Sequence, residues 1–488
     1  MPHRLVPRWR TSVREKLRKS VITSAAATTA ATLGLLLGVP ASAASAGPGA
    51  PGIGDPYYPT YGNGGYDVSH YALDLGYQPA TDTLTGTTTI TATATQSLTA
   101  FDLDFALTVS KVTVDGRPAA FATSGEQELV VTPARTIPRG KHYTVAVTYS
   151  GVPSSVQRYG FTSWQRTPDG GVAANEPESA WWWFPSNDHP SDKATYDVDI
   201  TVPSGEQAIS NGLLVSQRTR SGLTSYHWRQ DDPQATYLAT LAVGHFDITH
   251  GKTRTGVPVI NAYSTDLPAA TAANARASVE RTGEIIDFLS GWFGPYPFHA
   301  AGGYVPDVTS HFSLEAQTRV FYSPNFYTSA PNTDVVAHEL AHQWWGDDVS
   351  LDRWSDIWLN EGFASYAEYL WADHLGQGTP QELARQVYDA HPADDPFWTV
   401  KPGDPGPQNQ FDDAVYDRGA VAIQALRDTI GDKAFKKLLK AWPAQHHFGN
   451  GTIAQFQQLA ERISGQDLAS FFTTWLYTPA KPASFPAS

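Results

Sequence analysis

The chain has 488 residues, 41% hydrophobic and 17% charged, with 34 Lys and Arg against 48 Asp and Glu and no cysteine. Such a length exceeds one ordinary core and implies two or three domains, and the acidic balance argues against nucleic acid as a partner. Without cysteine there is no disulfide, no lipid-modified N-terminal cysteine and no thiolate to close a structural metal site.

The first nineteen residues carry seven Lys or Arg and one Glu, an apolar run rich in Ala and Thr covers residues 21–39, and Ala41-Ser42-Ala43 follows. A basic start, an apolar stretch and an A-x-A site read as a secretory signal peptide over residues 1–43, so the chain is expected to be secreted and extracellular. The rival is a membrane anchor, since nineteen residues could span a bilayer. The low hydrophobicity of Ala and Thr and the cleavage site speak against a stable anchor. Removing residues 1–43 leaves 27 basic and 47 acidic residues, a formal net charge of −20. An exported chain without disulfides must then be held by core packing and metal. Residues 44–65, rich in Gly, Pro and Tyr, read as a flexible leader.

Residues 66–251 follow period two. Tyr143, Val145, Val147 and Tyr149 alternate with polar residues, as do Tyr196, Val198, Ile200 and Val202, and Asp115-Gly116 is a hairpin signal. This is an N-terminal all-β domain, a saddle or sandwich, whose Thr-rich run over residues 85–95 suits a half-exposed strand. The texture changes after Gly256: residues 257–263 read as a short strand, 269–289 as one helix, and 304–308 and 312–317 as strands. Helical patterns dominate from Thr379 onward, so residues 252–488 are expected to form an α+β catalytic domain.

Residues 334–370 carry the chemistry. His338 and His342 leave one face of a helix and can meet one metal ion. Asn332 and Thr333 offer N-caps and Gly346 a stop. A second helix, expected to open near Asn360 and run to His374, brings Glu361 in its first turn. Two histidines and one carboxylate make three protein ligands for zinc, which leaves a fourth position for water, so the site reads as catalytic with one Zn2+ per chain. Glu339 is placed to take the proton of the metal-activated water.

With these residues in view, the chain resembles the gluzincin zinc aminopeptidases, the aminopeptidase N-like family, over residues 66–482. The resemblance is carried by HELAHQWWGD at 338–347 and WLNEGFASY at 358–366, and more weakly by WFPSNDHPSDKATY at 183–196 and YDRGA at 416–420. It implies a thermolysin-like catalytic domain with His338, His342 and Glu361 as zinc ligands, Glu339 as general base and Tyr416 as hydrogen-bond donor to the tetrahedral oxyanion. Glu368, seven residues after Glu361 and on the same face, is a candidate to orient a ligand.

Family members hold the substrate's free amino group with glutamates, one of them in a Gly-x-Met-Glu-Asn strand. Here the strand reads Phe312-Ser313-Leu314-Glu315-Ala316, which keeps Glu315 but not the glycine or the asparagine. The second anchor is expected at Glu176, with Glu178 as the alternative. His189 and His311 have no ligand spacing and read as ordinary polar residues. The resemblance implies peptide substrates and closes six residues before the chain ends, with the C-terminal β-sandwich and helical domains of longer members unmatched and a more open cleft expected. The expected function is removal of N-terminal residues from peptides. The alternatives are a zinc endopeptidase on the same scaffold and a non-catalytic peptide-binding protein.

Overall fold

A computed structural model describes residues 46–158 and 161–486, so the expected signal peptide lies outside the described residues. The first half is built on an eight-stranded sheet. Its strands run, in spatial order, Leu213–Arg220, Leu223–Gln234, Ala194–Pro203, Tyr66–Gln78, Thr83–Ala94, His142–Gly151, Thr108–Val114 and Arg117–Pro118. All neighbours pair antiparallel except Ala194–Pro203 with Tyr66–Gln78. Tyr143, Val145, Val147 and Tyr149, and likewise Tyr196, Val198, Ile200 and Val202, point into one core, as their alternation predicts. A bulge between Val68 and His70 resets the phase of the strand Tyr66–Gln78, so that Tyr66 and Val68 and then Tyr71, Leu73, Leu75 and Tyr77 all face inward. The Thr-rich run forms the strand Thr83–Ala94, with Leu84, Ile90 and Ala92 buried and most of the threonines on the outer side. Asp115 and Gly116 both have positive φ, as a two-residue hairpin turn between twisted strands requires.

The second half holds a four-stranded sheet in the order Phe246–Lys252, Pro258–Ser264, Ala301–Val305 and Val320–Phe321. Around it lie helices α1 (Ala269–Val279), α2 (Thr282–Phe293), α3 (Thr333–Ala341), α4 (Trp358–His374), α5 (Pro380–Ala390), α6 (Gly419–Ile430), α7 (Asp432–His446) and α8 (Ile453–Ser464). Helix α3 is buried between α2 and α4. Among the described residues no helix is long and apolar enough to cross a membrane.

Several expectations need correcting. The strand Phe246–Lys252 pairs along its length with Pro258–Ser264, so the change of sheet falls near Phe246 and not after Gly251. The single helix expected over 269–289 is two, because the Thr282 hydroxyl donates to the Val279 carbonyl and turns the chain between them. Residues 312–317 are not a strand: Leu314 alone bridges to Phe321, since the chain reverses through Thr318 at φ 64° to reach the sheet. The leader is not loose. Gly47–Pro48 pairs with the strand Leu98–Asp104, and Asp55, Tyr61 and Asn63 are buried. Its glycines 52, 54, 62 and 65 all take positive φ, so the composition that suggested flexibility serves tight turns.

Two cations, the buried Arg319 and the partly buried Lys193, tie the halves together. The Lys193 ammonium, from the first half, donates to the carbonyls of Asp347 at 2.7 Å and Asp348 at 2.9 Å, just beyond α3. The Arg319 guanidinium donates to Ser210 and Gly212 on one side and to Ile260 and Ala301 on the other, at 2.6–3.4 Å. Burial pushes this guanidinium down to about 10. Arg319→Met leaves these carbonyls without their donor, and should lower stability by at least about 3 kcal/mol in denaturant unfolding, read as an earlier midpoint. A loss below about 1 kcal/mol would show that the tie is dispensable.

Candidate active site

Helix α3 begins where the Asn332 side chain accepts from the backbone N–H groups of Asp334 and Val335, as its sequence position predicts. One turn and a fraction later the rings of His338 and His342 stand 5.0 Å apart. Past His342 the chain tightens and turns at Gly346, whose φ of 130° suits glycine and whose Cβ, if present, would lie 3.1 Å from the Asn360 amide. That close approach brings the first turn of α4 against the end of α3. Helix α4 opens at Trp358, two residues earlier than Asn360, and carries Glu361 and Glu368 on the face toward the histidines.

The imidazoles are oriented by their outer nitrogens. His338 Nδ1 donates to Glu368 at 2.7 Å, and His342 Nδ1 donates to the Trp345 carbonyl at 3.0 Å. Both Nε2 atoms therefore face Glu361 Oε2, at 3.4 and 3.6 Å. Donors around a tetrahedral ion with bonds near 2.0–2.1 Å sit about 3.3 Å apart, so this spacing suits a shared metal better than mutual hydrogen bonds. Glu361 Oε2 is buried without a sound hydrogen-bond partner in the protein. The His2Glu donor set, with both Nδ1 atoms engaged and this oxygen unmatched, fits zinc.

The remaining candidates converge on the same place. Glu339 is buried, and its carboxylate groups with those of Glu315 and the His342 ring within 4.8 Å. Glu315 is 2% exposed and accepts from the Tyr237 hydroxyl at 3.1 Å. Glu176 leaves one carboxylate oxygen buried without a partner and feels Glu315 and Glu361. Glu178 turns elsewhere, to Arg158 at 3.4 Å. Of the two alternatives, Glu176 is thus the one that faces the histidines. Tyr416 sits in a widened turn over residues 414–418, ahead of α6, with its ring close to parallel to that of His338 at 6.1 Å. His189 is buried against Asp55, away from this cluster, and His311 lies on the surface.

The charges are badly matched within the protein alone. Burial would raise Glu361, but the two imidazoles outweigh it and hold the carboxyl down to about 2. Burial lifts Glu339 to about 8, against the pull of both histidines and with help from Glu315 and Glu361. Burial likewise raises Glu315 and, further, Glu176, each reinforced by neighbouring carboxylates. Such a cluster of buried carboxylates suits a divalent ion among the three candidate ligands.

Some contributors escaped the sequence reading. Gln343 donates to the Glu315 carbonyl at 2.9 Å and to Asp347 at 2.8 Å, and accepts from the Thr318 N–H, so it holds the Glu315 segment against α3. Its place inside HELAHQWWGD was a signal in plain view. Tyr237 had none, because nothing in ATYLAT sets one tyrosine apart. Trp345 acts twice: its carbonyl fixes His342, and its ring stacks on Phe363 of α4 at 3.7 Å.

Comparison with known proteins places this arrangement. A model described as "Peptidase M1 N-terminal domain" matches residues 67–238, and one described as "Peptidase family M1 domain" matches residues 314–475. Aminopeptidase N of Lactobacillus delbrueckii subsp. lactis is 27% identical over 449 residues, covering 86% of this chain and 51% of that protein. Aminopeptidase N of Lactococcus lactis subsp. lactis is 29% identical over 324 residues, covering 61% of this chain and 38% of that one. The chain thus spans from about a third to a half of the length of the curated relatives it matches. The crystal structure of an M1 zinc metallopeptidase from Deinococcus radiodurans is 30% identical, with a TM-score of 0.80, covering 89% of this chain and 99% of that one.

Glu368 touches the candidate metal ligands through the His338 imidazole, so its removal should show in metal retention first. Glu368→Ala should weaken zinc affinity by about 10- to 100-fold, measured by competition with a chelator. Unchanged retention would reduce Glu368 to a bystander.

Proposed function

The chain belongs to peptidase family M1, and on that premise we propose that it is a zinc aminopeptidase that removes N-terminal residues from peptides. The observation that carries the reading is the pair of carboxylates, Glu315 and Glu176, set beside the His338, His342 and Glu361 donor set. An endopeptidase has no use for two under-compensated carboxylates next to its metal ligands; an enzyme that binds an α-ammonium group does.

Zinc held by His338, His342 and Glu361 would supply Lewis-acid chemistry, polarising a peptide carbonyl and making water acidic enough to lose a proton near neutral pH. The rest falls to the protein. Glu315 and Glu176 bind the ammonium group and so fix which peptide bond lies over the metal ligands. Glu339 takes the proton of the attacking water and delivers it to the departing amine, a task for which its buried place beside His342 and the candidate metal ligands suits it. Tyr416, its ring stacked toward His338 from a distant part of the chain, donates its hydroxyl to the carbonyl oxygen as charge develops there. Glu368 and the Trp345 carbonyl keep the imidazoles in the tautomer that turns Nε2 inward. Export belongs to the same reading, supported by the basic and apolar opening and the Ala41-Ser42-Ala43 site. Recovery of the active protein from the medium with an N-terminus near Ala44 tests it.

The amine reading is tested with matched peptides, one free and one N-acetylated. Only the free peptide should be cleaved, and Glu315→Ala should act mainly by raising KM, with Glu176→Ala weaker in the same direction. Glu339→Gln should retain zinc and lose turnover. Equal rates on both peptides would favour the endopeptidase alternative, and full activity in Glu339→Gln would remove the proposed base.

Tyr416→Phe deletes one oxygen and keeps the ring. It should lower kcat by about 10²- to 10³-fold with KM and zinc content little changed, since the hydroxyl acts where charge develops. A variant retaining most of its kcat would mean that another group serves the oxyanion.

A further inference from the structure

The two glutamates assigned to the amine are supported, through different neighbours, by one short stretch of the leader. Asp55 is buried, and one of its oxygens accepts from the backbone N–H groups of Tyr57 at 2.7 Å and Tyr58 at 3.0 Å. The other accepts from the Trp354 N–H at 2.8 Å and from His189 Nε2 at 3.2 Å. The Ser191 N–H reaches His189 Nδ1 at 3.2 Å, which leaves the ring's proton on Nε2, toward Asp55. One carboxylate thus joins the leader, the first half and the turn ahead of α4.

From this anchor the contacts divide. The Tyr58 ring stands edge-on to Trp354, centroids 6.3 Å apart, and Trp354 stands edge-on to Tyr237 at 5.3 Å. Tyr237 donates to Glu315. On its other side Tyr58 stacks on Tyr61, with centroids 4.6 Å apart and planes within 10°. Arg158 lies over the Tyr61 ring at 5.2 Å while pairing at 3.4 Å with Glu178, two residues beyond Glu176, and so joins Tyr61 to that loop. A stacked tyrosine pair therefore stands between the support of Glu315 and the loop that carries Glu176.

We propose that residues 55–61 form a strap whose stacked pair, Tyr58 and Tyr61, sets the separation and aim of Glu315 and Glu176, and so tunes binding of the substrate's amino group. The proposal rests on the aminopeptidase reading. Tyr58, Tyr61 and Asp55 are positioning residues, acting on the amine end through Trp354, Tyr237 and Glu178. Loosening the stacked pair relaxes the amine end of the site more than the metal end, where His338 and His342 are held by Glu368 and Trp345 and do not touch the strap.

The test uses the zinc-loaded full chain, an aminoacyl fluorogenic substrate with a free amine, and a hydroxamate inhibitor that has no amine. Tyr58→Leu combined with Tyr61→Phe should raise KM by about fivefold to tenfold with kcat within about twofold, as expected when ground-state positioning is lost. Hydroxamate inhibition and zinc content should match the wild type. Asp55→Asn, which keeps the size of the side chain but faces an N–H group with an NH2, gives an independent route to the same KM effect. Unchanged KM in folded variants overturns the strap. So does a joint loss of kcat, hydroxamate binding and thermal stability, which marks a merely structural segment. If the wild type cleaves free and N-acetylated peptides alike, the amine reading itself fails; if it discriminates and the variants do not respond, the strap alone fails.

Discussion

Burying Glu315, Glu339 and Glu361 around two imidazoles is the constraint on which the rest of the structure turns. Carboxylates removed from water lose several kcal/mol of hydration each, and the two imidazoles offset that loss for Glu361 but not for its neighbours. Glu361 is rescued by its position between both rings, whereas Glu339, Glu315 and Glu176 are pushed toward the protonated state. A fold would not keep such a cluster for stability alone. Its electrostatic deficit lies where the proposed reaction would bring positive charge, a metal ion among the histidines and, on that proposal, the ammonium group of a substrate.

Holding that deficit requires rigid surroundings, and the sequence supplies them with aromatic and backbone contacts more than with ion pairs. The stack of Trp345 on Phe363 locks α3 to α4, and the close pass of Gly346 against Asn360 sets their spacing. Gln343 carries the register of α3 across to the Glu315 segment. These contacts fix distances between groups that belong to different elements of the chain, with little freedom left for the side chains to rearrange.

Much of this was legible from residue order. The His338 and His342 spacing, Glu361 in the following helix and the alternating strands of the first half follow from the periods of helix and strand, which are local properties. Resemblance added Tyr416, Glu315 and Glu176, which no local pattern joins to the histidines. What stayed hidden depended on tertiary proximity. Tyr237, Lys193 and Asp55 gain their roles from groups 78, 154 and 299 residues away. The leader was misread because Gly- and Pro-rich composition signals turns as well as disorder, and only the partners of Asp55 and Tyr61 decide between the two. Residues 312–317 were misread as a strand because alternation over six residues cannot reveal that the chain reverses at Thr318.

Arg319 and Lys193 bear on how the cleft behaves over time. Lys193 of the first half donates to backbone carbonyls just beyond α3, and the buried Arg319, which precedes α3 in the chain, donates to carbonyls of both halves. Separating the halves would take carbonyl partners from both cations, so a hinge opening between them carries an electrostatic cost. Under the proposed function a peptide would meet walls already ordered by folding, and the ordering penalty of association would fall mainly on the peptide. Short, extended chain ends suit such a site, whereas a folded protein would have to unravel its terminus before entering.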